Sequence, residues 1–258
     1  YRVSKTQLIN LQKKLAKNKS GYSYAAMSVI AEIMKLDHAI ILAGTQSVYS
    51  LKKYLDNLKK EKTKASVRLT KTKEFQSVYE KATELDKQHE EHPKMKKIKE
   101  IVESDIRKGR RLIVFAQYRN TITKIVSTLK LIPGARPVEF FGQAKKSGKG
   151  MSQKEQIETL KEFRNGVYNV LVCTSIGEEG LDIAETDGVI FYEPIPSEIR
   201  KIQRQGRTAR TKQGKVVMLM TKKTRDEAYY WSAYHKEKKM RMILNEMRDK
   251  QSTWNRYT

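Results

Sequence analysis

The chain is poor in cysteine, proline and glycine, and each shortage narrows what it can be. One cysteine, Cys173, among 258 residues excludes an internal disulfide framework and leaves no thiol cluster for zinc. It ends an apolar strand pattern and reads as a small buried hydrophobe with no chemistry of its own. Residues 1–90 hold almost no proline or glycine and little strand signal, so this part reads as all-helical. The longest apolar run, residues 39–44, is far too short to cross a bilayer, and no charged leader followed by an apolar core opens the chain. A soluble protein with no membrane role is expected. No histidine pair has metal-ligand spacing: His89 and His92 fall on what reads as an exposed charged helix end, and His38 and His235 are isolated, so no metal site is predicted. Also missing are a Gly-x-x-x-x-Gly-Lys-Ser/Thr phosphate loop and an Asp-Glu-x-His magnesium box.

What the chain has in excess is positive charge. Lys and Arg number 53 against 29 Asp and Glu, a formal +24, which suits a polyanionic partner and above all nucleic acid. Residues 1–92 carry 18 basic and 10 acidic residues. Leu8, Leu11 and Leu15, then Ala26, Val29, Ile30, Ile33 and Met34, then Leu51, Tyr54, Leu55 and Leu58 recur at helical spacing as stripes expected to be core. Between them Lys52, Lys53, Lys59, Lys60, Lys62 and Lys64 suggest a basic helical face.

The pattern changes at His92-Pro93, where proline suits a first helical turn and Met95, Ile98, Ile101, Val102 and Ile106 make an amphipathic helix. The boundary is drawn there, giving domains 1–92 and 93–258. Beyond it strands at 112–116, 137–141, 169–173, 188–192 and 215–220 alternate with helices near 120–131, 152–163 and 197–205. Ser152 and Glu155 have capping-box spacing. Alternation of this kind predicts a parallel sheet covered on both faces, with functional loops at the strands' carboxyl ends. The loop 142–150, with Lys145, Lys146 and Lys149 among small residues, reads either as a solvated loop or as a phosphate-contacting arm.

Two segments carry the chemistry. In 174–183 the hydroxyls of Thr174 and Ser175 and the amides of Gly177 and Gly180 can bind phosphate oxygens, and Asp182 can accept from a ribose hydroxyl or an arginine. In 203–210 Arg207 and Arg210 lie three apart, so on a helical turn both guanidinium groups can address one phosphate.

These segments resemble motifs V and VI of superfamily 2 helicases. With 112–121, 141–144 and 150–156 in order before them, and 191–194 and 197–203 extending the match, the chain resembles the archaeal Hef helicase family, which is similar to the Fanconi anaemia M translocases and more distantly to Dicer and the innate-immune RNA sensors. The resemblance implies an α/β fold, a RecA-like parallel sheet with helices on both faces, preceded by an all-helical, thumb-like DNA-binding insert. It implies that Arg207 and Arg210 act as catalytic arginines on ATP, with Gln203, Gly180 and Asp182 on the nucleotide side. Gln117, Arg119, Gly142, Gln143, Thr174 and Ser175 would line the nucleic-acid side. Ala209 stands where the family commonly has Gly. ATP with Mg2+ would be bound mainly by a first motor domain, absent here together with the nuclease signature of Hef proteins, so the chain reads as a fragment inactive by itself. The expected partners are forked or junction DNA and that first motor domain, in DNA repair. The location would be cytoplasmic at the nucleoid in an archaeon and nuclear in a eukaryote. The alternatives are a double-stranded RNA translocase and a noncatalytic nucleic-acid-binding module. After 221 a basic tail with Tyr229, Tyr230, Trp231 and Tyr234 reads as a helix packed on the motor domain, with base stacking as the second reading.

Overall fold

The computed structural model describes residues 4–18, 20–143, 150–174, 186–194 and 215–254. The chain divides into two compact units, Tyr1–Pro93 and Lys94–Thr258.

The first unit is helical: α1 (Lys5–Lys17), α2 (Gly21–Thr45), α3 (Val48–Lys60), α4 (Lys64–Thr70) and α5 (Lys73–Lys87). With so little proline or glycine, hydroxyl residues mark the boundaries. Ser4, Ser20, Ser47, Thr63 and Thr72 each sit in extended conformation before a helix and accept a hydrogen bond from the amide three residues on. Leu55, Leu58, Leu69, Phe75 and Ala82 form the core between α3, α4 and α5. The stripe reading needs correction on α1 and α2: Leu8 and Ile30 are buried, but Leu11, Val29 and Ile33 are exposed. Helical spacing identifies a face without saying that anything covers it. The histidine reading also changes. His92 is half-buried with Nε2 3.2 Å from the Gly44 carbonyl, and His38 stands edge-on to Tyr54 at 4.6 Å.

The second unit opens with α6 (Pro93–Ile106) and continues β1 (Leu112–Phe115), α7 (Arg119–Leu129), β2 (Pro137–Phe140), α8 (Gln153–Arg164), β3 (Val170–Cys173), β4 (Gly188–Phe191), β5 (Lys215–Met218) and α9 (Arg225–Trp254). All four pairings are parallel, in the order β2-β3-β1-β4-β5. Strand side chains alternate between faces, and the core divides accordingly. Leu112, Val114, Val170, Val172 and Ile190 meet α6 and α7 through Met95, Ile98, Val102, Ile122, Ile125 and Leu129. Ile113, Phe115, Leu171, Cys173, Val189 and Phe191 meet α8 through Leu160 and Phe163. Burial on both faces is why β1, β3 and β4 read as unbroken apolar runs. The Ser152–Glu155 capping box forms, and Cys173 is fully buried. This is the expected RecA-like parallel sheet with helices on both faces, preceded by an all-helical region. The helix expected at 197–205 and the lysines at 145, 146 and 149 lie outside the described residues. Among the described residues no helix is long and apolar enough to cross a membrane.

Candidate nucleic-acid and nucleotide interface

In a parallel sheet every strand ends on the same side, and loops leaving that side are where such folds bind ligands. Five of the predicted residues fall there. Gln117 and Arg119 follow β1, Gly142 and Gln143 follow β2, and Thr174 follows β3. Gln117 and Gln143 are exposed, and Arg119 is half-buried at the first position of α7 with its guanidinium 5.6 Å from the Phe141 ring centre. Gly142 and Thr174 are buried, and the Thr174 hydroxyl has no hydrogen-bond partner among the described residues. Ser175, Gly180, Asp182, Gln203, Arg207 and Arg210 lie outside the described residues.

The loops are held by a second set of side chains. Gln156 is buried, and its Nε2 donates to the Phe141 carbonyl at 2.7 Å; Met151 N donates to the Gly142 carbonyl at 3.3 Å. After β1 the Gln117 amide donates to the Glu193 carboxylate. Burial, and next the Glu193 charge, push the phenol of Tyr118 above its ordinary pKa, so it stays neutral beside them.

Behind this rim lies a buried ion pair. Lys94 in the first turn of α6 bonds to Asp226 in the first turn of α9, both almost fully buried, with the ammonium 5.1 Å from the Tyr192 ring centre. Asp226 also accepts from the Thr221 amide at 3.0 Å. Burial is the largest influence on Lys94 and holds its pKa below the ordinary value against the pull of Asp226. At the other end of α6, buried Asp105 accepts from Arg110 at 3.0 Å and Lys215 at 2.9 Å. Among the described residues no cluster of His, Cys, Asp and Glu could hold a metal ion.

In the first unit the basic face is narrower than the sequence suggests. Lys52 is engaged by Asp56 at 2.6 Å and by Tyr79 at 3.3 Å. Burial opposes its charge, but those bonds outweigh burial and raise its pKa. Lys53, Lys59, Lys60, Lys62 and Lys64 are exposed, with Lys59 over the Tyr79 ring at 4.0 Å.

Residues 93–212 match the model of the helicase conserved C-terminal domain. The helicase domain of Pyrococcus furiosus Hef has a similar structure, with TM-score 0.69 and 39% identity over 90% of this chain and 49% of that one. The chain holds a helicase C-terminal domain, similar to that of Hef.

A Methanocaldococcus jannaschii protein bearing the name of an ATP-dependent RNA helicase, MJ1505, is 43% identical over 95% of this chain and 31% of its own length. The ATP-dependent DNA helicase fml1 of Schizosaccharomyces pombe is 44% identical over 51% of this chain and 16% of its own length. The chain thus spans about a third or less of these curated relatives. In this helicase C-terminal domain sequence reasoning missed Glu193, Lys94, Asp105 and Asp226. A signal for two of them existed: Lys94 and Asp105 continue the buried stripe through Met95, Ile98 and Val102, and a charge at core spacing implies a buried partner.

Proposed function

We propose that this chain is the thumb and second motor domain of an ATP-dependent DNA helicase or translocase acting on forked or branched DNA in repair. The observation that carries the reading is the convergence of Gln117, Arg119, Gly142, Gln143 and Thr174 at the carboxyl ends of β1, β2 and β3 in a domain similar to that of Hef. The nucleic-acid role of these residues and of Ser175 is part of the proposal. So is the nucleotide role of Gln203, Gly180, Asp182, Arg207 and Arg210. ATP with Mg2+ is held mainly by a first motor domain, and this chain supplies two arginines to the charge that develops on the transferred phosphoryl group. A chain without the phosphate loop is inactive alone. The exposed lysines of α3 and the following loop give the first unit a phosphate-binding face.

The test is DNA-stimulated ATPase in the full-length protein. Arg207→Ala is expected to lower turnover by roughly a thousandfold or more, as for other arginine fingers. Arg119→Ala is expected to raise the DNA concentration needed for half-stimulation while leaving saturated turnover near wild type. Normal turnover in Arg207→Ala would sink the finger assignment. A double-stranded RNA substrate is a second reading, favoured by the name of the Methanocaldococcus relative. Stimulation by RNA duplex exceeding that by forked DNA would select it.

A further inference from the structure

Helix α9 carries a surface that the motor reading does not use. Its first turns read Arg225-Asp-Glu-Ala-Tyr-Tyr-Trp-Ser-Ala-Tyr-His-Lys, and 100° per residue sorts them into two sides. Asp226 and Ala233 are buried, with Tyr229 and Tyr230 half-buried beside them. Trp231, Tyr234, His235 and Lys238 fall on the other side at i, i+3, i+4 and i+7. There Trp231 is 50% and Tyr234 44% exposed.

The rings hold one another. Trp231 stands edge-on to Tyr230 at 5.3 Å and to Tyr234 at 5.8 Å, and His235 lies 6.2 Å from Trp231 and 5.6 Å from Tyr234. Such mutual contacts limit rotamer freedom, so little further ordering is needed when a flat ligand arrives. The surroundings are basic: Lys236, Lys238 and Lys239 are exposed, and Glu227 on the aromatic side accepts from the Lys223 amide at 2.8 Å. The opposite side of the helix adjoins the strand ends, where Arg225 and Tyr229 lie close enough to Tyr118 to influence its phenol.

Half-exposed rings beside lysines complement a ligand that has both π-faces and phosphates. A duplex offers the phosphates but keeps its bases stacked on each other; a single strand offers both. We propose that Trp231, Tyr234 and His235, with Lys238, form a stacking platform for the unpaired bases of a single strand. The choice of nucleic acid as ligand rests on the reading above, and the platform adds the strand class that α9 would hold.

The chain contains Trp231 and Trp254 only, so a Trp254→Phe variant leaves Trp231 as the sole tryptophan reporter. Its fluorescence is followed while a short oligothymidylate, or a blunt duplex with the same number of phosphates, is added at fixed salt. Quenching by the oligothymidylate and little by the duplex is expected. Read by the anisotropy of an end-labelled ligand, since no reporter tryptophan remains, Trp231→Ala should weaken oligothymidylate binding roughly tenfold, leave duplex binding and the salt slope unchanged, and be largely rescued by Trp231→Phe. Equal weakening for both ligands would mean a charged patch without stacking, and would overturn the proposal. So would the absence of quenching by either. No ATP enters this measurement, so failure of the arginine-finger reading, seen in turnover, stays distinguishable from failure of the platform.

Discussion

Asp226→Ala tests whether the second unit depends on the ion pair at the start of α6 and α9. Lys94 and Asp226 are buried to within a few per cent of full exclusion from solvent. Removing the carboxylate leaves an ammonium buried against the Tyr192 ring, still under the pull of the Glu193 charge, and takes the acceptor from the Thr221 amide. Breaking a buried pair by deleting one partner costs about 3–5 kcal/mol. With a urea slope of about 2 kcal/mol/M, that lowers the unfolding midpoint by roughly 2 M. Because the chain has two units, the readout should be hydrogen exchange at the amides of β1 and β4 during the titration. Lys94→Met with Asp226→Leu removes both charges and should recover most of the loss, with a remainder of about 1–2 kcal/mol from the Thr221 amide. Burial depresses the Lys94 pKa, so between the folded value and the ordinary 10.5 the unfolded chain binds more protons. Stability of the unit therefore rises with pH across that window, and Lys94→Met flattens the rise. A single-variant loss under about 1 kcal/mol, or a double variant no better than the single, would refute the reasoning.

Leu58→Ala, at the least exposed side chain of the helical core, should cost the first unit about 2–5 kcal/mol and leave exchange in the sheet of the second unchanged. Ser152→Ala removes the cap of α8 and should cost about 1 kcal/mol, read from a urea midpoint. Burial, and next Glu61, push the phenol of Tyr54 up to about 12, above the ordinary 10.0. Its stabilising contribution is fully present below pH 10 and lost as pH rises towards 12, so Tyr54→Phe should flatten the alkaline fall in stability of the first unit.

How much was legible depended on whether a signal was local. The strands of the second unit announced themselves because β1, β3 and β4 are buried on both faces and appear as unbroken apolar runs. Proline opening α6 and the serine–glutamate pair opening α8 gave their starts. In the first unit the helices were evident, but their boundaries lay in hydroxyl residues, Ser20, Ser47, Thr63 and Thr72, which stand out only once their caps are known. The exposed side chains of Val29 and Ile33 show what periodicity omits: which face a long helix buries is decided by neighbours distant in sequence. The same limit hid the framework behind the strand ends. Lys94 and Asp226 are 132 positions apart and Gln117 and Glu193 76, and no spacing rule relates them. Gln117, Arg119, Gly142, Gln143 and Thr174 were named for the nucleic-acid side from motif resemblance alone, and parallel strand order explains why residues so scattered share one side of the sheet.

The strands also finish at one level. Phe115, Cys173, Phe191 and Met218 are register partners, as are Phe140 and Cys173, and the residues that follow, Ala116, Phe141, Thr174, Tyr192 and Leu219, are all buried. Amides of Ala116, Tyr192 and Leu219 carry the ladder one step further, to the carbonyls of Cys173, Phe115 and Phe191. The sheet is sealed by a course of inward residues; contact with the outside starts one position beyond it at Gln117, Glu193 and Met220, and two beyond it at Gln143. A lengthened or rewritten connection can therefore be set on any one strand without shifting the alignment of the others. Change is then confined to interchangeable fittings above a fixed plinth.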